Sequence, residues 1–528
     1  MKKQLTAGLT GAALVAAGFF TVSPYFFGQQ AEKVLNEQTQ ILAKSSFLTV
    51  ESHQYQRGWF SSTETLVVKL KPSLLHNAQA YLPDNLKTVF REPITIVNHI
   101  KHGPFANGAT PVYAYVDTEF QYQPETAKIL KRFFGDQVPV TLNNTIRFGG
   151  SGTLAMHVAP FDYEELSGIK LNWKGLISNT DYESGWDAYQ SHYQTDGLQA
   201  KLADKGAVSL EKLDVTTHTQ NGRNGLSLGD SHLQLGKFST EWKENIAYDV
   251  KLNQLVNMVT DLQIGAFINP TGSVPPSKIM VDNLSFDTKM NEQDNWISSE
   301  GRFQFQKLAY GDDQYGPLDI NVAAEHLDAA ALLVLKNKIA EMAGKNMTDE
   351  QIQSEIIKTA KTDAAGLFTH DPLIKLKAFN FTIPQGEVKA SGELAFTQAS
   401  KSDLDDLPAL LKKTRAQVQL HVPEKLLETL AVNQARNVFS VNPEDAAAGK
   451  ASMDDINDTI RLMVSSTVNS MQSDGYLTLT GGNIDTLVKL QNNQLTLNGK
   501  VLENPPEESP APEAASASAK AASAPKKP

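Results

Sequence analysis

His99 and His102 lie three residues apart, a spacing that on a helix would place two imidazole rings on one face, where both could bind zinc. Residues 94–100 are predicted to form a strand instead, and in a strand residues three apart point to opposite faces. Asp117 or Glu119 would complete a metal site only if the fold brought them near. We therefore expect no metal site and a structural role for His102 in a turn.

The segment from Arg57 to Phe60 brings a guanidinium group, a glycine and two aromatic rings together. It could bind an anionic head group through charge and apolar packing. Alternatively, Gly58 could lie in a β-bulge, with Arg57 paired to a carboxylate in the protein interior. We favour the structural interpretation, and both remain open at this point.

Residues 229–232 read Gly-Asp-Ser-His, one residue away from the Gly-Asp-Ser-Leu block of an esterase family, which would make Ser231 a nucleophile. In those enzymes the block leads into a helix, and an Asp-x-x-His pair follows. Here Leu233 and Leu235 predict a strand after the block, and the sequence has no Asp-x-x-His. It also has no His-Glu-x-x-His zinc motif. We expect no enzyme activity and no cofactor, and keep an undetected hydrolase as an alternative.

The elements that must position these residues lie mostly between residues 47 and 325. They are short segments in which apolar and polar residues alternate. In residues 65–71, Leu66, Val68 and Leu70 share one face. Similar strands are predicted at residues 112–121, 145–148, 154–158, 231–235, 279–286 and 302–308. Because no long helix separates consecutive strands, we expect antiparallel pairing. Residues 47–325 are thus predicted to form a β-rich domain.

Residues 326–502 are predicted to mix helices with strands. Thr348 and Gln351 form a capping box at a helix start, and Pro423 marks a strand-to-helix junction. Asn492 and the asparagine after it predict a hairpin turn. The expected fold class is α+β and predominantly antiparallel β: a long curved or extended antiparallel sheet with flanking helices, after an N-terminal transmembrane helix.

The N-terminus predicts a membrane anchor. Residues 5–27 are uncharged and mostly apolar, and as a helix they would measure about 34 Å, enough for a hydrocarbon layer of about 30 Å. Lys2 and Lys3 precede this segment, so the positive-inside rule leaves residues 1–4 in the cytoplasm and exports the bulk of the chain. Residues 28–46 continue as an amphipathic stalk helix.

A cleaved signal peptide is the alternative to an anchor. We favour retention because Pro24 follows the late small-residue pattern and the aromatic residues 25–27 suit a membrane interface. The spacing of Gly8, Ala12 and Ala16 aligns small residues on one helix face, so a dimer through the anchor remains open.

The composition excludes several classes of protein. Of the 528 residues, 41% are hydrophobic, which is enough for a large folded core. A formal charge of -11, with no long basic block, makes nucleic-acid binding unexpected. The chain has no cysteine, which rules out disulfides and thiol catalysis. Residues 503–528 are rich in Pro, Ala, Ser and Lys and are predicted to be a disordered tail.

Several short motifs, taken in order, resemble those of the YdgA family. The motif residues are Tyr55, Arg57, Gly58, Phe60, Ser61, Ser62, His102, Gly103, Pro104, Phe105, Asp371, Pro372, Pro423, Asn498 and Gly499. The resemblance spans the chain except its tail and implies an inner-membrane-anchored periplasmic protein of Gram-negative bacteria. It implies no reaction and no catalytic residues, so these positions are expected to be structural.

Three functions follow as hypotheses. The first is a non-enzymatic envelope protein that binds an envelope component, with lipid as a candidate, on a β-rich surface or groove. A lipid groove requires a concave apolar face that is open to solvent and not filled by side chains. The second is a scaffold that contacts other envelope proteins through the anchor and the tail. The third is the hydrolase, which would require His102 or Ser231 in a cleft beside a carboxylate.

Overall fold

The computed structural model describes residues 2–43, 45, 48–71, 91–108, 110–243, 278–343, 345, 347–438 and 453–502. Within these ranges, the side chains of residues 2–20, 343, 349, 436–438 and 453 lie outside the description. Most of the predicted anchor, residues 5–27, is therefore described as backbone only. The predicted tail, residues 503–528, lies outside the described residues.

The elements in these ranges are mainly strands, with helices at the start, at the sheet ends and in the last third. The helices are α1 (Lys2–Ala43), α2 (Pro124–Phe134), α3 (Ala329–Ala343), α4 (Asp349–Lys361), α5 (Gly366–Thr369), α6 (Leu407–Lys413), α7 (Glu424–Val438) and α8 (Met453–Ser473). The strands are β1 (Leu48–Arg57), β2 (Ser61–Leu70), β3 (Ile94–His102), β4 (Ala114–Gln121), β5 (Val140–Ile146), β6 (Gly152–Val158), β7 (Phe161–Glu164), β8 (Ile169–Trp173), β9 (Leu176–Tyr182), β10 (Ala188–Leu202), β11 (Gly206–Asn221), β12 (Ser227–Trp242), β13 (Lys278–Gln293), β14 (Trp296–Phe305), β15 (Lys307–Tyr310), β16 (Asp313–Tyr315), β17 (Leu318–Asp328), β18 (Leu373–Ile383), β19 (Gly386–Phe396), β20 (Thr414–Pro423), β21 (Thr478–Thr480), β22 (Asn483–Gln491), β23 (Gln494–Leu497) and β24 (Lys500–Val501).

The described strands form one sheet, and its pairings are antiparallel. The main order is β1-β2-β3-β4-β5-β6-β9-β10-β11-β12-β13-β14-β17-β18-β19-β20-β22-β23-β24. Most strands pair with the next one in sequence, so the chain crosses the sheet as a meander. The predicted α+β, predominantly antiparallel fold class is confirmed. The division predicted between residues 325 and 326 falls inside β17, and the sheet continues across it.

The register of the strands gathers the loops at two ends of the sheet. The β1–β2 turn, the β3–β4 loop and the β5–β6 turn lie together, because β2 pairs in register with β3 and β4 with β5. This end is termed the α1 end, since α1 packs between these loops. The β7–β8 turn and α2 lie at the opposite, far end.

The two faces of the sheet follow from the alternation of side chains along each strand. One row of directly paired residues crosses the face that we term the inner face. This row is Tyr55, Glu64, Asn98, Thr118, Leu142, Met156, Ser178, Tyr193, Val215, Leu233, Phe286, Phe303, Ile320 and Phe379. The residues on either side of each of these point to the outer face.

The second half of α1 packs on the inner face of the first strands. Its buried Ala31, Val34 and Leu35 recur at helical spacing and contact the sheet. Their buried neighbours on the sheet are Ile100, Ala114, Val116, Ile146 and Tyr182. The largest core lies further along the same face, around Leu318 and Phe381. Among the residues that the structure describes, no helix is both long and apolar enough to cross a membrane.

Candidate functional site

The first group of family-motif residues, from Tyr55 to Phe105, meets at the α1 end. Arg57 Nη2 lies 2.6 Å from Glu32 Oε2 on α1, so the guanidinium pairs with a carboxylate that is only partly buried. A Cβ on Gly58 would overlap the backbone oxygen of Ser61, which explains glycine at this tight turn. The segment therefore forms a turn between β1 and β2 that is tied to α1, and the predicted bulge is not present.

His102 is buried beneath α1. A Cβ on Gly28 of α1 would come within 2.5 Å of His102 Cε1, so the helix backbone rests directly on the imidazole ring. Burial lowers the pKa of His102, an effect that the nearby backbone of Trp59 opposes. Burial thus favours the neutral form of the ring, which serves as a packing surface for the helix.

The remaining family-motif residues are held in turns and strand ends elsewhere in the sheet. They are Asp371, Pro372, Pro423, Asn498 and Gly499. Asp371 Oδ1 accepts a hydrogen bond of 2.7 Å from the backbone N–H of Gln398. Asn498 Oδ1 accepts one of 2.8 Å from the backbone N–H of Leu487. The structure does not bring these residues to the α1 end, so the family motif does not mark one site.

The residues singled out for metal or nucleophile chemistry lie apart. His99 is exposed on the outer face, with Nε2 3.3 Å from Glu119 Oε2, whereas His102 points to the inner face. The prediction that the two histidines point to opposite faces is confirmed. Among the described residues, no group of three or more potential ligands could hold a metal ion. Ser231 lies within β12, and the strand continues past it.

Residues 225–229 read Gly-Leu-Ser-Leu-Gly, which has the spacing of a hydrolase nucleophile elbow. In such an elbow the serine lies on a sharp turn from a strand into a helix. Ser227 instead begins β12, directly after the turn from β11, so a strand follows it. The local geometry is that of a β-hairpin, so the Gly-x-Ser-x-Gly spacing does not indicate a nucleophile here.

A buried polar network lies beneath α1, and no sequence motif predicted it. Glu64 on β2 is only 1% exposed, and its Oε1 lies 2.9 Å from His53 Nε2. Asn98 Nδ2 donates to Glu64 Oε2 at 2.7 Å, and Thr118 donates to Asn98 Oδ1 at 2.7 Å. Thr39 of α1 donates to Glu64 Oε1 at 3.3 Å. Because a buried carboxylate needs such donors, the network helps to fix α1 on the sheet.

The inner face of β10–β13, between the α1 core and the large core around Phe381, carries a partly exposed apolar strip, whose Leu284 packs against the large core. The residues of this apolar strip are Tyr193, Leu213, Val215, Leu233, Leu235, Leu284 and Phe286. Tyr193 is 37% exposed and Phe286 is 42% exposed. These values are high for central strands, in which neighbours on both sides cover each side chain. The strip is an apolar surface that is partly open to solvent, which is one of the features that a lipid groove requires.

The outer face of the same four strands is polar. It carries hydrogen-bonded pairs of a histidine and an aspartate on neighbouring strands: His192 with Asp214, His218 with Asp230 and His232 with Asp287, at 2.9, 2.9 and 2.5 Å. The strands are therefore amphipathic, with an apolar inner side and a charged outer side. A folded protein keeps such an apolar face where another protein segment covers the face or where the face binds an apolar ligand.

Comparisons with known proteins identify a family but do not identify an activity. The chain has no significant match among curated proteins or among solved structures. One family model, described as a bacterial protein of unknown function (DUF945), matches residues 1–505 of the 528. The chain belongs to this bacterial family of unknown function, DUF945.

Proposed function

We propose that this protein is a non-enzymatic envelope protein that binds the acyl chain of a lipid on the apolar strip. The exposure of Tyr193 and Phe286 in the middle of a long sheet is the observation that carries the proposal. Four strands spaced by about 4.8 Å give the strip a width of about 14 Å, which suits an extended acyl chain better than a globular ligand.

The composition of the strip favours an apolar ligand over a reacting one. Of its seven residues, only Tyr193 carries a polar side-chain atom. A catalytic site would need an acid, a base or a nucleophile among the residues that touch the ligand. Acyl-chain burial needs only apolar area, at about 25 cal/mol per Å² removed from water.

The proposed setting is the periplasmic face of an inner membrane. Residues 5–27 would span the bilayer with Lys2 and Lys3 in the cytoplasm, and the resemblance of the ordered motifs to the YdgA family of Gram-negative bacteria supports this setting. A topology reporter fused after Pro528 is expected to be active in the periplasm. Activity in the cytoplasm would refute this setting.

Leu233 and Gln234 offer a matched pair of substitutions for the lipid proposal, because neighbours in a strand point to opposite faces. A phospholipid with a photoreactive acyl chain is added to the full chain in nanodiscs, and its attachment to β10–β13 is measured by peptide mass spectrometry. Leu233→Asp is expected to lower attachment about tenfold, since a loss of about 1.4 kcal/mol of apolar contact has that effect.

Gln234→Asp introduces the same charge on the outer face and is expected to leave attachment unchanged. Thermal unfolding of both variants checks that the fold is retained. Equal attachment to the two variants, or attachment confined to residues 5–27, would reject the strip as a lipid site.

A further inference from the structure

The α1 end carries a group of exposed aromatic side chains, here termed the aromatic rim. Its members are Phe26, Trp59, Phe60, Phe105 and Phe148. Their exposure runs from 45% for Phe148 to 58% for Phe60, which is high for large apolar side chains. The rim draws on four separate parts of the chain, so the sheet register, and no local sequence pattern, brings it together.

The rim lies beside one short stretch of α1. Trp59 Nε1 donates a hydrogen bond of 2.6 Å to the backbone oxygen of Thr21, and its ring lies 5.1 Å from that of Tyr25. On the other side of the helix, the ring of Phe27 lies 5.2 Å from that of Phe148. The β1–β2 and β5–β6 turns thus contact the helix within residues 21–27.

The helix is held on the sheet just beyond the rim. α1 is a single helix from Lys2 to Ala43. Its second half is held on the sheet by the contact of Gly28 with His102 and by the buried side chains of Ala31 and Leu35. The helix continues from the folded body past the rim into the part of α1 that precedes Thr21, with Pro24 inside it at this level. The residues before Thr21 are uncharged back to Gln4 and mostly apolar.

The rim lies at one specific depth along the proposed anchor. If residues 5–27 span the hydrocarbon layer, residues 21–27 form the last turns of that span, about 10 Å long. Tryptophan and other aromatic side chains are favoured at this level, where an apolar ring meets the head groups.

We infer that the aromatic rim rests in the outer leaflet of the same membrane, so that the α1 end of the sheet sits on the bilayer as a second, peripheral contact. This inference relies on the proposed anchor and adds a surface to it. It makes the lipid surface the partner of the rim, and it fixes the long strands at a set angle to the membrane.

The cysteine-free chain allows a direct test, because single cysteines can be labelled without removing others. A fluorophore is attached to Phe60→Cys or Phe148→Cys in the full chain in phospholipid nanodiscs. Leu166→Cys is the control, an exposed apolar residue in the β7–β8 turn at the far end. Emission wavelength, quenching by aqueous iodide and quenching by nitroxide-bearing lipids are measured.

Labels on the rim are expected to show blue-shifted emission, protection from iodide and quenching by the nitroxide lipids, whereas the Leu166 label shows none of these. A label at Ala13→Cys reports on the anchor itself. If the Ala13 label is in lipid but both rim labels behave like the Leu166 label, the rim inference is wrong and the anchor stands. If the Ala13 label is also in water, the anchor fails and the rim inference falls with it.

Discussion

Replacing Glu64 with alanine is expected to lower the free energy of unfolding by about 3–5 kcal/mol, because it leaves buried donors without their acceptor. Asn98 and His53 both approach the Glu64 carboxylate within hydrogen-bond distance, and Thr39 of α1 donates to it. The substitution also opens a cavity between α1 and the sheet. The loss is measured by urea unfolding of the full chain in detergent.

The pair of His99 and Glu119 provides a matched control for this prediction. It has the same residue types on neighbouring strands, with a distance of 3.3 Å, but both side chains are more than half exposed. Glu119→Ala is therefore expected to change stability little, since water replaces the lost contact. Similar losses for Glu64→Ala and Glu119→Ala would show that burial of the network does not stabilise the fold.

Gly28→Val is expected to lower the free energy of unfolding by about 1–3 kcal/mol, because the new side chain collides with His102. This collision outweighs the gain from replacing glycine, which is a poor helix residue. The collision would move α1 away from the sheet and loosen the contacts of Ala31 and Leu35. Urea unfolding measures the stability, and hydrogen exchange in residues 28–43 reports whether the helix has moved.

A second substitution separates this collision from other effects of valine. In a His102→Ala background the space beside Gly28 is free, so the combined variant is expected to be more stable than the sum of the single changes by about 1–3 kcal/mol. Gln30→Val places the same side chain on the exposed side of α1 and is expected to have little effect. Additive losses in the combined variant would contradict the proposed contact.

Local sequence patterns were sufficient for the elements whose geometry depends on near neighbours. The predicted capping box is present, since Gln351 N–H donates to Thr348 Oγ1 and Thr348 N–H donates to Gln351 Oε1. Asn492 and Asn493 have positive φ in a two-residue hairpin turn, as predicted. The alternation in β2 predicted its buried face. Each of these features involves residues fewer than ten positions apart.

The α1 contacts depended partly on sequence and partly on the tertiary structure. The spacing of apolar residues in residues 28–46 predicted an amphipathic helix. That this helix lies on the inner face, with Glu32 paired to Arg57, followed only from the fold. The sequence offered two interpretations of Arg57 because a guanidinium can pair with any carboxylate within reach, and the reach is set by packing.

The sequence by itself determined the family motifs, the antiparallel strands and the apolar N-terminal segment, because each is written in adjacent or regularly spaced residues. Only the tertiary structure decided the network of Glu64 with Asn98, the apolar strip and the aromatic rim. Their members come from separate strands and loops and meet through strand register, which depends on all the strands at once. For this reason the surface proposed to bind lipid could not be recognised before the sheet was known.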